Sequence, residues 1–153
     1  MRVSTRRLAV TVLSALAAAT ALTAPADARS HQNAISVQEV GHISEGGHVT
    51  LYGTYACAPS SPRGVQIQVT LTQDAGDRGT TRLGFGGQEA ECDGQPHDWS
   101  ASADVNPSLV SLHPGAAGAQ ARLQTASLHS GFKLSVSYLA QAEQDVVLEE
   151  KHR

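Results

Sequence analysis

Asp93, His97 and Asp98 cluster just after Cys92, and carboxylates with an imidazole are donors that a divalent metal accepts. A simpler use competes for them. Asp93-Gly94 is a turn signal, because both residue types tolerate positive φ. A strand starting after that turn sends His97 and Asp98 to opposite faces. The expectation is therefore a solvated turn, with no metal ligand assigned. His42 and His48 flank the glycine-rich stretch around Gly46-Gly47, and His31 stands upstream, but no H-x-H or H-E-x-x-H spacing joins them. They read as surface histidines.

Gly84-Phe85-Gly86-Gly87 has the composition of a phosphate-cradling loop. Such loops need a helix after them, and strand signal follows here. A β-bulge or a tight approach is expected instead. No G-x-S-x-G elbow is present, and both cysteines are expected to be oxidised, so neither Ser nor Cys is marked as a nucleophile. No catalytic residue and no cofactor is assigned.

Residue types suited to binding remain. Tyr52 alternates with Tyr55, so the two rings point to opposite faces, and an exposed tyrosine is a common recognition anchor as well as an ordinary packing residue. Gln66, Gln68, Thr70 and Thr72 form a polar, uncharged stripe able to meet glycan or peptide, or simply water. The binding candidates are Tyr52, Trp99, Asp93 and His97.

These residues are positioned by short strands. Val49, Leu51, Gly53, Tyr55 and Cys57 alternate with Thr50, Tyr52, Thr54 and Ala56; Val65, Ile67, Val69 and Leu71 alternate with the polar stripe. Ile35 and Val37, with Val40, form a first strand, and Gly41 to Gly47 reads as a turn-rich connection. Thr80 to Phe85, Gln88 to Cys92, Trp99 to Val105 and Ala117 to Leu123 supply further strands, and Leu134, Val136 and Tyr138 a later one. Ala140 to Glu150 reads as a bulged final strand rather than a helix. Turns every 8–12 residues fit an all-β, immunoglobulin-like or Greek-key β-sandwich of seven to eight antiparallel strands.

The 153-residue chain opens with a signal-peptide pattern over residues 1–28. Arg2, Arg6 and Arg7 form the basic part, Leu8 to Leu22 the apolar part, and Ala26-Asp27-Ala28 the cleavage pattern. The apolar run is short for a spanning helix. Cleavage after Ala28 leaves residues 29–153 as one secreted domain. Lys plus Arg then falls from 11 to 8 and Asp plus Glu from 14 to 13, for a net charge of about −5. That balance argues against nucleic acid and anionic membrane as partners. Two cysteines in a secreted chain read as one disulfide, Cys57–Cys92; a free thiol pair is the rival, without the C-x-x-C spacing of redox sites.

Gly53-Thr54-Tyr55-Ala56-Cys57, Gly84-Phe85-Gly86-Gly87, Cys92-Asp93-Gly94, Trp99, Leu112-His113-Pro114-Gly115 and Glu143 to Leu148 occur in this order. Together they resemble domain-of-unknown-function family 6299, small secreted proteins of filamentous soil bacteria. The resemblance covers roughly Ile35 to Leu148. It implies a secreted β-domain with a disulfide, and it implies no catalytic residues. The functional expectation is a secreted, non-catalytic binding module for a protein, glycan or small-molecule partner. Alternatives are a small-molecule carrier with a cleft between sheets, and a secreted hydrolase.

Overall fold

The computed structural model describes residues 32–129 and 133–151. Residues 1–31, with the expected signal peptide, its cleavage point and His31, and residues 130–132 and 152–153 lie outside them. Eight strands follow in order: β1 (Ala34–Ile35), β2 (Val40–Ile43), β3 (His48–Ala56), β4 (Gln66–Asp74), β5 (Thr80–Glu89), β6 (His97–Asp104), β7 (Gly115–His129) and β8 (Lys133–Glu150). One 3-10 turn, Gly76–Arg78, interrupts the loop between β4 and β5. The all-β expectation holds, and the connectivity is compatible with a sandwich.

Two groups of strands are joined through the N-terminal segment. β3 pairs along one edge with β6, from His48↔Asp104 to Tyr55↔His97. Its other edge receives β1 and, further along, β2. Between those two strands, Ser36 and Gln38 still donate their amides to Thr54 and Tyr52 of β3. At Glu39 the chain changes partner: its carbonyl accepts from Val147, and β2 runs parallel to β8, Val40↔Val147 to Ile43↔Glu150. From β8 the ladder continues antiparallel through β7 and β4 to β5. The β2–β8 pairing departs from the purely antiparallel expectation, and β2 occupies part of the stretch that reads as a turn. The sequence Val40-Gly41-His42-Ile43 is too short and too glycine-diluted for alternation to show, and its partner lies about a hundred residues away.

The inward faces form one apolar cluster. Val49, Leu51, Val69, Leu71, Ala121 and Leu123 are fully buried, and Val146 and Leu148 of β8 join them. Each large aliphatic side chain so buried contributes about 1.5–3 kcal/mol. Gln73 continues the inward parity of Val69 and Leu71 and is also buried. Its amide compensates for lost water: Nε2 donates to the carbonyls of His113 and Ala116, and Oε1 accepts from the His113 amide. Gln73 thus anchors the connection into β7 to the end of the core.

Two bulges shape the larger group of strands. The first lies where Ile67 and Gln68 oppose Gln88 and Gly86, leaving Gly87 extra; Gly86 and Gly87 have φ of 125° and 98°. The glycine run is therefore a bulge, as its strand context predicts. The second lies between Leu123↔Ala140 and Gln124↔Tyr138, with Leu139 extra. Because side chains alternate, one extra residue exchanges the faces of β8. Ala140 and Ala142 are partly buried against the core, whereas Tyr138, Val136 and Leu134 lie on the outward side and are exposed.

Candidate functional site

The residues that looked most chemical are engaged in local structure. Asp93 Oδ1 accepts the Gln95 amide at 2.8 Å, the hydrogen bond of a side-chain-closed turn, and lies 2.8 Å from His97 Nε2. The His97 ring stacks on Tyr55 with centroids 5.4 Å apart, and the Tyr55 hydroxyl accepts the Glu91 amide. These contacts brace the segment that carries Cys92. Asp98 pairs with Thr54 on the opposite, exposed face. Among the described residues no three His, Cys, Asp or Glu side chains are grouped to hold a metal. Trp99 is 2% exposed and its indole N–H donates to the Ser36 carbonyl, so its ring is part of the core. Tyr52 is half-buried, with its ring edge-on to His42.

The hydrogen bond between His97 and Asp93 raises the imidazole pKa above its ordinary 6.5 and lowers the carboxyl below its ordinary 3.8. The raised histidine value stabilises the fold fully below pH 6.5, and that contribution is lost as pH rises through the folded-state value. The lowered aspartate value stabilises above pH 3.8, and is lost as pH falls through its own folded-state value. The contact is therefore strongest between the two. An NMR titration should place the His97 midpoint above 6.5, and Asp93→Asn should return it toward 6.5. A wild-type midpoint at or below 6.5 would show that the pair does not form.

His42 and His48 meet in a surface hollow of about 680 Å³, together with Ser44, Glu45, Asp104 and Lys151. His48 Nδ1 and Asp104 Oδ1 are 2.6 Å apart, and both side chains are exposed. The Ser44 hydroxyl accepts the His48 backbone amide, which makes it a turn-closing group. A second hollow, about 140 Å³, opens among Ile43, Val105, Pro107, Val110, Leu112 and Pro114. Ligand pockets usually measure about 300–1,000 Å³, so this one is small for a carrier.

The outer face of β5, β4, β7 and β8 is built differently. Cross-strand pairing sets its outward residues in rows that run across the strands. The first row is Arg82, Thr72, Gly118 and Asp145; the second is Gly84, Thr70, Gln120 and Glu143. The third is Gly86, Gln68, Arg122 and Gln141, and the fourth is Glu89, Gln66, Gln124 and Tyr138. None of these positions carries an aliphatic side chain. Gln120 Nε2 donates to Glu143, and the Arg122 guanidinium lies 5.2 Å above the centre of the Tyr138 ring, which remains 58% exposed. A hollow of about 480 Å³ runs over Gly118 between Thr70, Thr72, Arg82, Gln120 and Asp145. Beyond Tyr138 the face turns apolar, with Ala126 opposite Val136 and Leu128 opposite Leu134.

Pattern reading reaches only one column of this surface, the Gln66–Thr72 stripe. Gln120, Arg122, Glu143 and Tyr138 are missed because their placement depends on register between strands. A family model for a family of unknown function, DUF6299, matches residues 31–151. The chain belongs to that family. No curated protein matches the chain. The DUF6299 match spans all eight strands, the disulfide and the outer polar face, so that face is part of the family domain. Among the described residues no helix is long and apolar enough to cross a membrane.

Proposed function

We propose that this member of DUF6299 is a secreted, non-catalytic binding module that recognises its partner through the outer face of β5, β4, β7 and β8. The observation that carries the reading is the composition of that face. Amide, hydroxyl and charged groups of both signs form a continuous array, with an exposed tyrosine at one end. Tyrosine and arginine are, with tryptophan, the residues enriched at the energetic centres of interfaces. Secretion is supported by the basic, apolar and small-residue pattern over residues 1–28, and by a disulfide, which persists in oxidising compartments.

Incubation with cell-wall polymers and secreted proteins of its own host should retain the protein. Thr70→Arg, in the middle of the face, should reduce retention at least tenfold. Ser100→Arg, exposed on β6, should leave it unchanged. Retention indifferent to Thr70→Arg, or absent from every fraction, would overturn the reading.

A further inference from the structure

We infer that the partner of this face is an uncharged polysaccharide, lying over Gly84 and Gly118 with a sugar ring against Tyr138. The inference rests on the binding-module reading above. It starts from two glycines that the fold does not need. Gly84 lies inside β5 and Gly118 inside β7, and neither has a positive φ. A Cβ built on Gly84 would meet nothing within 4 Å, and one on Gly118 would only touch the Thr72 carbonyl at 3.9 Å. Glycine inside a strand costs stability, about 0.5–1 kcal/mol relative to alanine, and here neither turn nor packing offsets that cost. Both lack a side chain on the same outer face, on either side of the Thr70–Thr72 lane. A ligand approaching the backbone closely accounts for both.

The chemistry of the surrounding groups selects the ligand. Gln66, Gln68, Gln120, Gln124 and Gln141 present amides, each able to donate and accept, which is the capacity that sugar hydroxyls share. Arg82 and Arg122 are interspersed with Glu89, Glu143 and Asp145, so the face has no field of one sign to attract a polyanion or a polycation. Peptide recognition usually adds a strand to a free edge or fills apolar pockets. β4 and β7, the centre of the array, are paired along both edges; the free edge of β5 lies to the side of the rows, and the rows themselves contain no aliphatic group. The Tyr138 ring, with Arg122 over it, offers the one apolar plane in these rows, suited to the C–H face of a sugar ring. The array extends about 14 Å across the strands and about 20 Å along them, a footprint for an extended chain.

The test uses the full secreted chain in affinity electrophoresis through soluble uncharged polymers and in pull-downs with insoluble ones: α- and β-glucans, mannan and chitin. Heparin and unfolded casein serve as the polyanion and polypeptide arms. At least one uncharged polymer should retard or retain the protein. Gly84→Thr with Gly118→Thr, and separately Tyr138→Ala, should each weaken that binding at least tenfold. The double glycine variant should keep or raise the melting temperature, which a structural role for these glycines would lower. Absence of binding to every uncharged polymer overturns the inference, as does binding that the variants do not change. Face-dependent binding to heparin or casein alone also overturns it, while leaving the binding-module reading standing.

Discussion

Replacing both cysteines, Cys57→Ala with Cys92→Ala, should lower stability by roughly 3–4 kcal/mol. The bond joins residues 35 apart, so its loss returns the entropy of a long loop to the unfolded chain. Cys57 is buried just past the end of β3, while Cys92 lies outside any strand, between β5 and β6. Other contacts hold this segment: Gly94 donates to the Cys57 carbonyl, Ala90 to Val65, and Glu91 to the Tyr55 hydroxyl. They rest on hydrogen bonds worth about 1 kcal/mol each, and they cannot restrict the unfolded state. The melting temperature should fall by about 10–20 °C. The β4–β5–β7–β8 ladder uses neither cysteine, so binding by the outer face should persist below the new transition. A fall under about 3 °C would show that the loop is effectively closed without the bond.

The sequence reveals alternation within a strand far better than relations between strands. Val49 to Cys57 and Val65 to Leu71 face inward as their periodicity predicts, because burial of one face imposes a period of two on local sequence. The glycine bulge in β5 is legible for a local reason too, whereas Leu134 to Tyr138 and Ala140 to Glu150, which read as two elements, are one strand whose bulge falls at Leu139. The placement of Tyr138 is not legible. It alternates with Val136 and Leu134 like an inward set, yet Leu139 is extra in the ladder and exchanges the faces. Nothing in Tyr138-Leu139-Ala140 marks that insertion, since its cause is register against β7. The candidate site follows the same rule. Asp93 and His97 attract notice because they are close in sequence, and closeness in sequence is what a turn requires. Gln68, Arg122 and Gln141 are neighbours only after three strands have paired.

The outer and inner faces of β4 show how the two roles divide. Val69 and Leu71 are fully buried, while Thr70 and Thr72, which alternate with them, are half-buried. Substitutions on the inward side should act through stability, and those on the outward side through binding. Gly84 and Gly118 sharpen the contrast, because filling them is expected to help the fold and harm recognition.

Gly53→Ala should be far more damaging than its size suggests, because Gly53 is the glycine on β3 that packing demands. A Cβ there would sit 2.0 Å from the Ser36 carbonyl oxygen and 2.5 Å from Trp99 Nε1. These two atoms are hydrogen-bonded to each other at 2.9 Å, directly over Gly53. The added methyl must therefore displace backbone on one side and the buried indole on the other. Overpacking costs about 1–3 kcal/mol, and an indole N–H left buried without a partner about 1–3 kcal/mol more. The combined loss should be about 2–6 kcal/mol. The damage reaches the N-terminal segment, since Ser36 sits between β1 and β2, and β2 joins the two strand groups. The chain has a single tryptophan, so its fluorescence reports this site alone. Emission should shift to the red in the folded variant as the ring gains water, and denaturant unfolding should show the lowered midpoint. Unchanged emission with stability within about 0.5 kcal/mol of wild type, the usual effect of a neutral surface change, would mean that Trp99 and Ser36 do not close over Gly53.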